Sequence, residues 1–151
     1  MGSRRSPGFA WRRLTSDPDA LAQGREFVLM NAAKAFGSSD ALSRIAIALE
    51  ELLLNIMRYA YGETEEGPID VGCRLPQRGL FCFRLRDRGK AFDPLLLEPP
   101  DITLGIDERQ IGGLGIYLVR QLADTVEYER SGGWNEFTCC FRNSGAEPEP
   151  G

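Results

Sequence analysis

Histidine is absent from this sequence of 151 residues. Without it the chain cannot form a Ser-His-Asp hydrolase, a metal site with imidazole ligands or a phosphohistidine of its own. Lysine is scarce, since Lys34 and Lys90 are the only two and the other basic residues are arginines. The formal net charge is −4 and like charges do not form blocks, so we expect neither nucleic acid nor an anionic membrane as a partner.

Long hydrophobic runs are also absent. No apolar stretch reaches the roughly 18 residues of a membrane-spanning helix. Residues 1–7 are basic and polar and lack the apolar centre of a signal peptide. We therefore expect a cytoplasmic protein without a membrane segment.

The four cysteines, Cys73, Cys82, Cys139 and Cys140, lack the Cys-x-x-Cys spacing of zinc sites. All four lie in apolar segments typical of strands, where Cys139 and Cys140 would point to opposite faces. The pattern predicts buried, reduced thiols.

The length matches one domain with one hydrophobic core. We expect a disordered arm over residues 1–8 and a single domain over 9–142. Residues 143–151 are rich in proline, glutamate and glycine, which predicts a disordered tail.

Apolar periodicity divides the domain into regular elements. Apolar segments bounded by turn signals predict strands over 9–14, 69–75, 80–86, 125–130 and 134–142. A 3.6-residue period predicts helices over 18–36, 40–61 and 113–123, with Pro18 in the first helical position and Gly37 as a C-cap. Because strands and helices come in blocks, we expect a two-layer α/β (α+β) sandwich with a mostly antiparallel sheet.

Residues 94–110 contain three prolines and a glycine, which prevents one regular element across the whole stretch. A loop of this length in a compact domain is usually functional or disordered. Its position directly before a glycine-rich segment predicts a lid over a binding site.

Gly112, Gly113 and Gly115 surround Leu114 where the third helix is predicted to begin. Glycine lets the backbone approach a ligand closely, and the first amides of a helix lack internal partners and carry partial positive charge. The run indicates a phosphate site, and an ordinary flexible turn before a helix is the alternative.

Glu51 and Asn55 are four residues apart on the second helix and share a face away from its apolar stripe. The carbonyl oxygen of Asn55 suits Mg²⁺, which usually takes few protein ligands and completes its shell with water and substrate phosphates. Glu51 is then available to accept a proton. A solvated helix face is the alternative, and we expect the neighbouring Glu50 to face solvent.

Asp87 ends a hydrophobic strand, and Gly89 permits a tight turn beside it. The carboxylate can accept a hydrogen bond from an exocyclic amine such as that of adenine, while Phe92 covers apolar surface. An ordinary Asp-x-Gly turn is the alternative.

These motifs occur in a recognisable order. Glu51-x-x-x-Asn55, Asp87-x-Gly89 with Phe92, and the glycine run 112–115 resemble the N, G1 and G2 boxes of the GHKL ATP-binding superfamily, which includes gyrase and histidine kinases. Residues 48–61 and 112–127 are similar, more closely, to the anti-sigma-factor serine kinases of bacterial partner-switching systems (RsbW type).

The resemblance implies a Bergerat-type ATP-binding fold, with a mixed, mostly antiparallel sheet covered on one face by about three helices, an ATP lid, and ATP and Mg²⁺ as cofactors. Asn55 would hold Mg²⁺, and Asp87 would bind the adenine amine, with Gly89 shaping that wall. Gly113 and Gly115, with nearby amides, would hold the phosphates.

The resemblance also assigns two further roles. Glu51 would act as the general base on a serine or threonine hydroxyl, and Thr138 on the last strand would support the nucleotide base. The chain departs from the family pattern at Tyr59, where these kinases commonly have histidine, and at Ala91, where the first glycine box usually ends in glycine.

The implied function is an ATP- and Mg²⁺-dependent serine/threonine kinase that sequesters a sigma factor or similar regulator and phosphorylates a STAS-domain antagonist. Family resemblance also predicts a homodimer, with residues 9–14 and the first helix as the expected surface. A nucleotide-gated binding module without phosphotransfer is the alternative. The catalytic part of a histidine kinase is less well supported, because the chain has no histidine to modify.

Overall fold

The computed structural model describes residues 8–14, 18–37, 40–60, 67–91, 93, 95 and 111–143, without the side chains of residues 59, 60 and 111–114. Four sequence predictions therefore lie outside the described residues: the arm over 1–8 apart from residue 8, Phe92, the lid over 94–110 apart from residue 95, and the tail over 143–151 apart from residue 143.

The chain forms five strands and three α-helices within this described part. Their bounds are β1 Ala10–Leu14, α1 Asp19–Phe36, α2 Asp40–Asn55, β2 Ile69–Gln77, β3 Leu80–Asp87, α3 Ile111–Leu122, β4 Thr125–Ser131 and β5 Trp134–Arg142. A π-helical turn, Ile56–Ala60, follows α2 directly. The strands form one sheet in the order β1-β2-β3-β5-β4, and every strand pair is antiparallel. The α+β prediction is confirmed, although the described sheet contains no parallel pair.

The two faces of the sheet differ because side chains alternate along each strand. On β3, Phe81 packs edge-on against Phe36 of α1, with ring centroids 6.3 Å apart. Residues 81, 83, 85 and 87 of β3 therefore form, with their cross-strand partners, the helix-side face. Residues 82, 84 and 86 and their partners form what we call the far face.

The core lies between the helix-side face and the three helices. The predicted stripe on α2 is buried, and Ile45, Leu49 and Leu53 have no exposed surface. Full burial of such a side chain stabilises the fold by about 1.5–3 kcal/mol. None of the described helices is long and apolar enough to cross a membrane.

Helix boundaries agree with the sequence to within a few residues. Gly37 has φ 61°, and its N–H donates to the carbonyl of Ala33 at 2.7 Å, so it ends α1 as predicted. Pro18 precedes the first helical residue, Asp19, instead of occupying the first helical position. The helix α3 begins at Ile111, earlier than predicted, which places the glycine run inside its first turns.

The prediction of four reduced thiols is wrong for one pair. Cys82 of β3 and Cys140 of β5 form a disulfide across the far face, where the two residues are direct cross-strand partners. Cys73 and Cys139 are free and buried. Burial raises the pKa of Cys73 to about 12 and that of Cys139 well above its usual value, so both remain neutral thiols at pH 7.

Candidate functional site

The carboxyl-terminal end of α2 carries Glu51 and Asn55, both half-buried. The apolar stripe packs inward and leaves these two polar side chains along the edge of the core. The α-helix ends at Asn55, where the backbone widens into the π-helical turn. Single π-helical turns are frequent at functional sites.

The amide nitrogen of Asn55 is buried and has no hydrogen-bond partner among the described residues. A buried amide nitrogen without an acceptor indicates that a ligand, an ion or the turned amide belongs at this position. Turned, the amide places its oxygen at this position, and oxygen is the ligand that Mg²⁺ prefers. The described residues contain no group of three or more His, Cys, Asp or Glu able to hold a metal. An oxygen of Asn55 at this position would give a Mg²⁺ ion one protein ligand, with water and nucleotide phosphates completing its shell.

Glu51 lies against α3 at a glycine. A Cβ at Gly115 would stand 2.6 Å from the Oε2 atom of Glu51, closer than real Cβ contacts occur. The carboxylate therefore occupies the space that any side chain at residue 115 would need. The structure thus brings the predicted base together with the glycine-rich start of α3.

Residues 111–114 form the first turn of α3, and the first four N–H groups of a helix have no intrahelical acceptor. The helix dipole adds partial positive charge at this end. Gly112, Gly113 and Leu114 therefore lie on backbone suited to an anion, beside Gly115 and Glu51.

Asp87 ends β3 on the helix-side face and is 5 % exposed. Its Oδ1 atom accepts hydrogen bonds from the backbone N–H of Gly89 and from Nδ2 of Asn135, both at 2.9 Å. Burial raises the pKa of the Asp87 carboxyl, while these two hydrogen bonds and the positive charge of Arg130 partly oppose that shift.

Asn135 was missed by the sequence reasoning, although it is the direct cross-strand partner of Asp87. Its Nδ2 also donates to the Lys90 carbonyl at 2.9 Å, and its Oδ1 accepts from the Tyr128 hydroxyl. A pairing of β3 with β5 in the correct register would have revealed it, but sequence alone does not give the strand order.

Thr138 is not brought to this site. It lies on the far face, where its hydroxyl accepts a hydrogen bond from Nε of Arg84 at 2.7 Å. Residues 135 and 138 of β5 point to opposite faces because their separation is odd. The prediction that Thr138 supports a nucleotide base therefore does not agree with the structure, and Asn135 occupies the position beside Asp87.

An antiparallel sheet with helices on one face, a Glu–Asn pair on α2, a buried Asp-x-Gly turn and a glycine-rich start of α3 define a nucleotide-binding domain of the GHKL class. The model of the histidine kinase-like ATPase domain matches residues 14–141. The chain belongs to this family, and membership in it implies ATP binding.

Two curated relatives are bacterial kinases. The serine/threonine-protein kinase BtrW of Bordetella bronchiseptica is 29% identical over 94 residues, which cover 62% of this chain and 66% of that protein. The serine-protein kinase RsbW of Listeria monocytogenes is 29% identical over 119 residues, 76% of this chain and 75% of that protein.

A solved structure shares the fold. The RsbU and RsbW domains of Rv1364c from Mycobacterium tuberculosis match with a TM-score of 0.58 at 16% identity, covering 88% of this chain and 32% of that one. The chain thus spans about a third of that protein and just under two thirds of the Bordetella kinase.

Proposed function

We propose that this chain is an ATP- and Mg²⁺-dependent protein serine/threonine kinase of the anti-sigma type, which phosphorylates a STAS-domain antagonist and sequesters a sigma factor or similar regulator. The observation that carries the proposal is the Glu51 carboxylate of α2, which lies against Gly115 at the glycine-rich start of α3. The names of the two curated relatives support the same activity.

Each described site residue has a role in the proposed reaction. Asp87 accepts a hydrogen bond from the adenine amine, and the first amides of α3 bind phosphate oxygens. Asn55 holds Mg²⁺ together with the triphosphate. The chemistry supplied by the bound ion is neutralisation of charge on the phosphate oxygens.

Glu51 accepts the proton of a serine or threonine hydroxyl that the partner presents. The hydroxyl oxygen forms a bond to the γ-phosphorus, the bond from that phosphorus to the β–γ bridging oxygen breaks, and ADP leaves. Positioned general bases contribute about 10²–10⁴-fold to the rates of such reactions.

The test is transfer of labelled γ-phosphate from ATP to a purified STAS-domain protein. We expect Glu51→Gln to lower the transfer rate by about 10²-fold or more while ATP affinity stays within about twofold. Glu50→Gln is the matched control, because Glu50 is adjacent on α2 but its carboxylate pairs with Arg25 at 3.2 Å and is 40% exposed.

Unchanged transfer in Glu51→Gln would reject the assignment of the base. Tight ATP binding by the unaltered protein, with no transfer to any STAS protein tested, would instead favour the nucleotide-gated binding module.

A homodimer is part of the proposal. Strand β1 lies at one edge of the described sheet, and an edge strand can pair with a strand of a second copy. Sedimentation of the unaltered protein over a range of concentrations tests this part of the proposal, and a monomer at every concentration would reject it.

A further inference from the structure

Asn135 is held in one orientation by four polar groups. The Tyr128 hydroxyl donates to its Oδ1, while Nδ2 donates to Oδ1 of Asp87, to the carbonyl of Lys90 and, at 3.5 Å, to that of Gly89. If the amide were turned by 180°, its oxygen would face a carboxylate and a carbonyl, both of which are acceptors. The hydrogen-bond network therefore fixes which end of Asn135 meets Asp87.

The same network distinguishes the two oxygens of Asp87. Both hydrogen bonds that described residues donate to this carboxylate end on Oδ1, from Gly89 and Asn135. Oδ2 therefore keeps its capacity to accept a hydrogen bond from a ligand. An amine at the 6-position of a purine provides such a bond, whereas the 6-oxo group of guanine would place an acceptor against a carboxylate.

The turn that follows Asp87 is anchored to the strands β4 and β5. Arg130 of β4 donates to the Gly89 carbonyl at 2.7 Å, and Asn135 of β5 holds the Lys90 carbonyl. Asp87 and Asn135 are each at least nine-tenths buried. Removal of one partner from a buried hydrogen-bond network therefore costs more free energy than an exposed hydrogen bond contributes.

We propose that Asn135 and Tyr128 are positioning residues that orient the Asp87 carboxylate and thereby set the preference for adenine over guanine nucleotides. The inference rests on the adenine site of the proposed function. It assigns to Asn135 and Tyr128 of this chain the supporting role that the sequence suggested for Thr138.

The test is calorimetric binding of ATP and GTP, with the ratio of the two affinities as the readout. We expect Asn135→Leu to weaken ATP binding by about tenfold or more and to lower the ATP-to-GTP preference by a similar factor, since a net hydrogen bond contributes about 0.5–1.5 kcal/mol. Tyr128→Phe removes one hydroxyl and should lower the preference by about threefold. Thr138→Val, which removes a hydroxyl from the far face of the same strand, should leave the ratio unchanged.

A pH series provides a second readout that simple destabilisation would not produce. The hydrogen bond from Asn135 lowers the pKa of Asp87, and Arg130 is the charged group that contributes in the same direction. In the Asn135→Leu variant Asp87 loses a hydrogen bond that favours its charged form, so the pKa of Asp87 should rise further. The affinity for ATP should therefore begin to fall at a higher pH in this variant than in the unaltered protein.

The outcomes separate this inference from the proposed function. If the unaltered protein binds neither nucleotide, the proposed function fails. A different result is that the unaltered protein prefers ATP while the Tyr128→Phe variant keeps the same preference and the Asn135→Leu variant is either unfolded or equally selective. That result would overturn the positioning roles of Asn135 and Tyr128 and leave the adenine site in place.

Discussion

The two faces of the sheet are made from the same strands but carry different chemistry. On β3, the helix-side residues Phe83 and Leu85 belong to the core and lead directly to Asp87 at the candidate site. The alternate residues Arg84 and Arg86 face away from the helices, among aromatic rings and carboxylates. One face thus combines the core with the site, whereas the other carries arginines, aromatic rings and a disulfide that join neighbouring strands.

No helix of the described structure covers the far face, yet one of its arginines is buried. Arg86 is 1 % exposed, and its guanidinium carbon lies 5.7 Å from the ring centroid of Trp11 and 4.3 Å from that of Trp134. Its Nε lies 3.3 Å from a carboxylate oxygen of Glu136. These cation–π contacts and the ion pair offset part of the loss of hydration that burial of the charge causes.

The largest effect expected from the far face comes from the disulfide. Cys82 and Cys140 are separated by 58 residues, and a crosslink closing a loop of this length stabilises a fold by about 4 kcal/mol in the chain-entropy model. Reduction should therefore shift the urea midpoint strongly downward, and phosphotransfer should persist wherever the protein stays folded. A Cys82→Ser/Cys140→Ser variant is the control, and it should not respond to reductant. Equal midpoints in the oxidised and reduced unaltered protein would contradict the stabilising role.

Gly115→Ala tests the helix-side face. The new Cβ would stand 2.6 Å from Oε2 of Glu51, and the far end of a flexible side chain can move away. We expect the fold to survive while phosphotransfer falls by about 100-fold, since a displacement of about 1 Å at a catalytic group can have that effect. Transfer rates and urea midpoints should be measured together. Gly24→Ala on α1 is the control, where a Cβ meets only Leu53 and Leu14 at 3.0–3.1 Å, so it should affect stability more than transfer.

Gly72→Ala is the same change on the far face, with the opposite expected result. The ring of Trp11 lies across Gly72, and a Cβ there would stand 2.9 Å from two ring carbons. A rigid ring cannot yield as a carboxylate does, so we expect a loss of about 2 kcal/mol in stability. ATP affinity and transfer should remain unchanged at temperatures where the variant is folded. A variant with normal stability but impaired transfer would show that the two faces are not independent.

Sequence patterns predicted the elements of both faces, because the relevant signals are local. The 3.6-residue stripe of α2 and the C-cap at Gly37 each depend on a few neighbouring residues. The Glu51–Asn55 spacing follows from helix geometry in the same way, so the placement of both residues on α2 could be predicted.

Contacts between strands that are distant in sequence could not be predicted in this way. The disulfide and the Asp87–Asn135 pair both require β3 to lie beside β5, with α3 and β4 between them in the chain. A change in register of one residue moves every side chain to the other face. Thr138 and Asn135 show the result, since the family resemblance pointed to Thr138 and only the register places Asn135 beside Asp87.

The pH dependence of Asp87 is the smallest expected effect, and it separates binding from stability on the helix-side face. Burial raises the pKa of this carboxyl, so the free protein protonates it at a higher pH than an ordinary aspartate. A protonated carboxyl is a poorer acceptor for the adenine amine, so affinity should fall as pH drops through that pKa, by at most about tenfold per pH unit. Stability without ligand should change in the opposite sense, because a raised pKa favours the folded state below the ordinary aspartate pKa and loses this contribution as pH rises through the folded value.

Adenosine is the suitable probe for this pH dependence, since it has no phosphate to titrate. Asp87→Asn should abolish the pH dependence of adenosine affinity and remove this residue's contribution to the pH dependence of stability, whereas Asp93→Asn, which alters the hydrogen bond to the Leu95 N–H, should keep both. An adenosine affinity that does not change with pH in the unaltered protein would remove Asp87 from the adenine site.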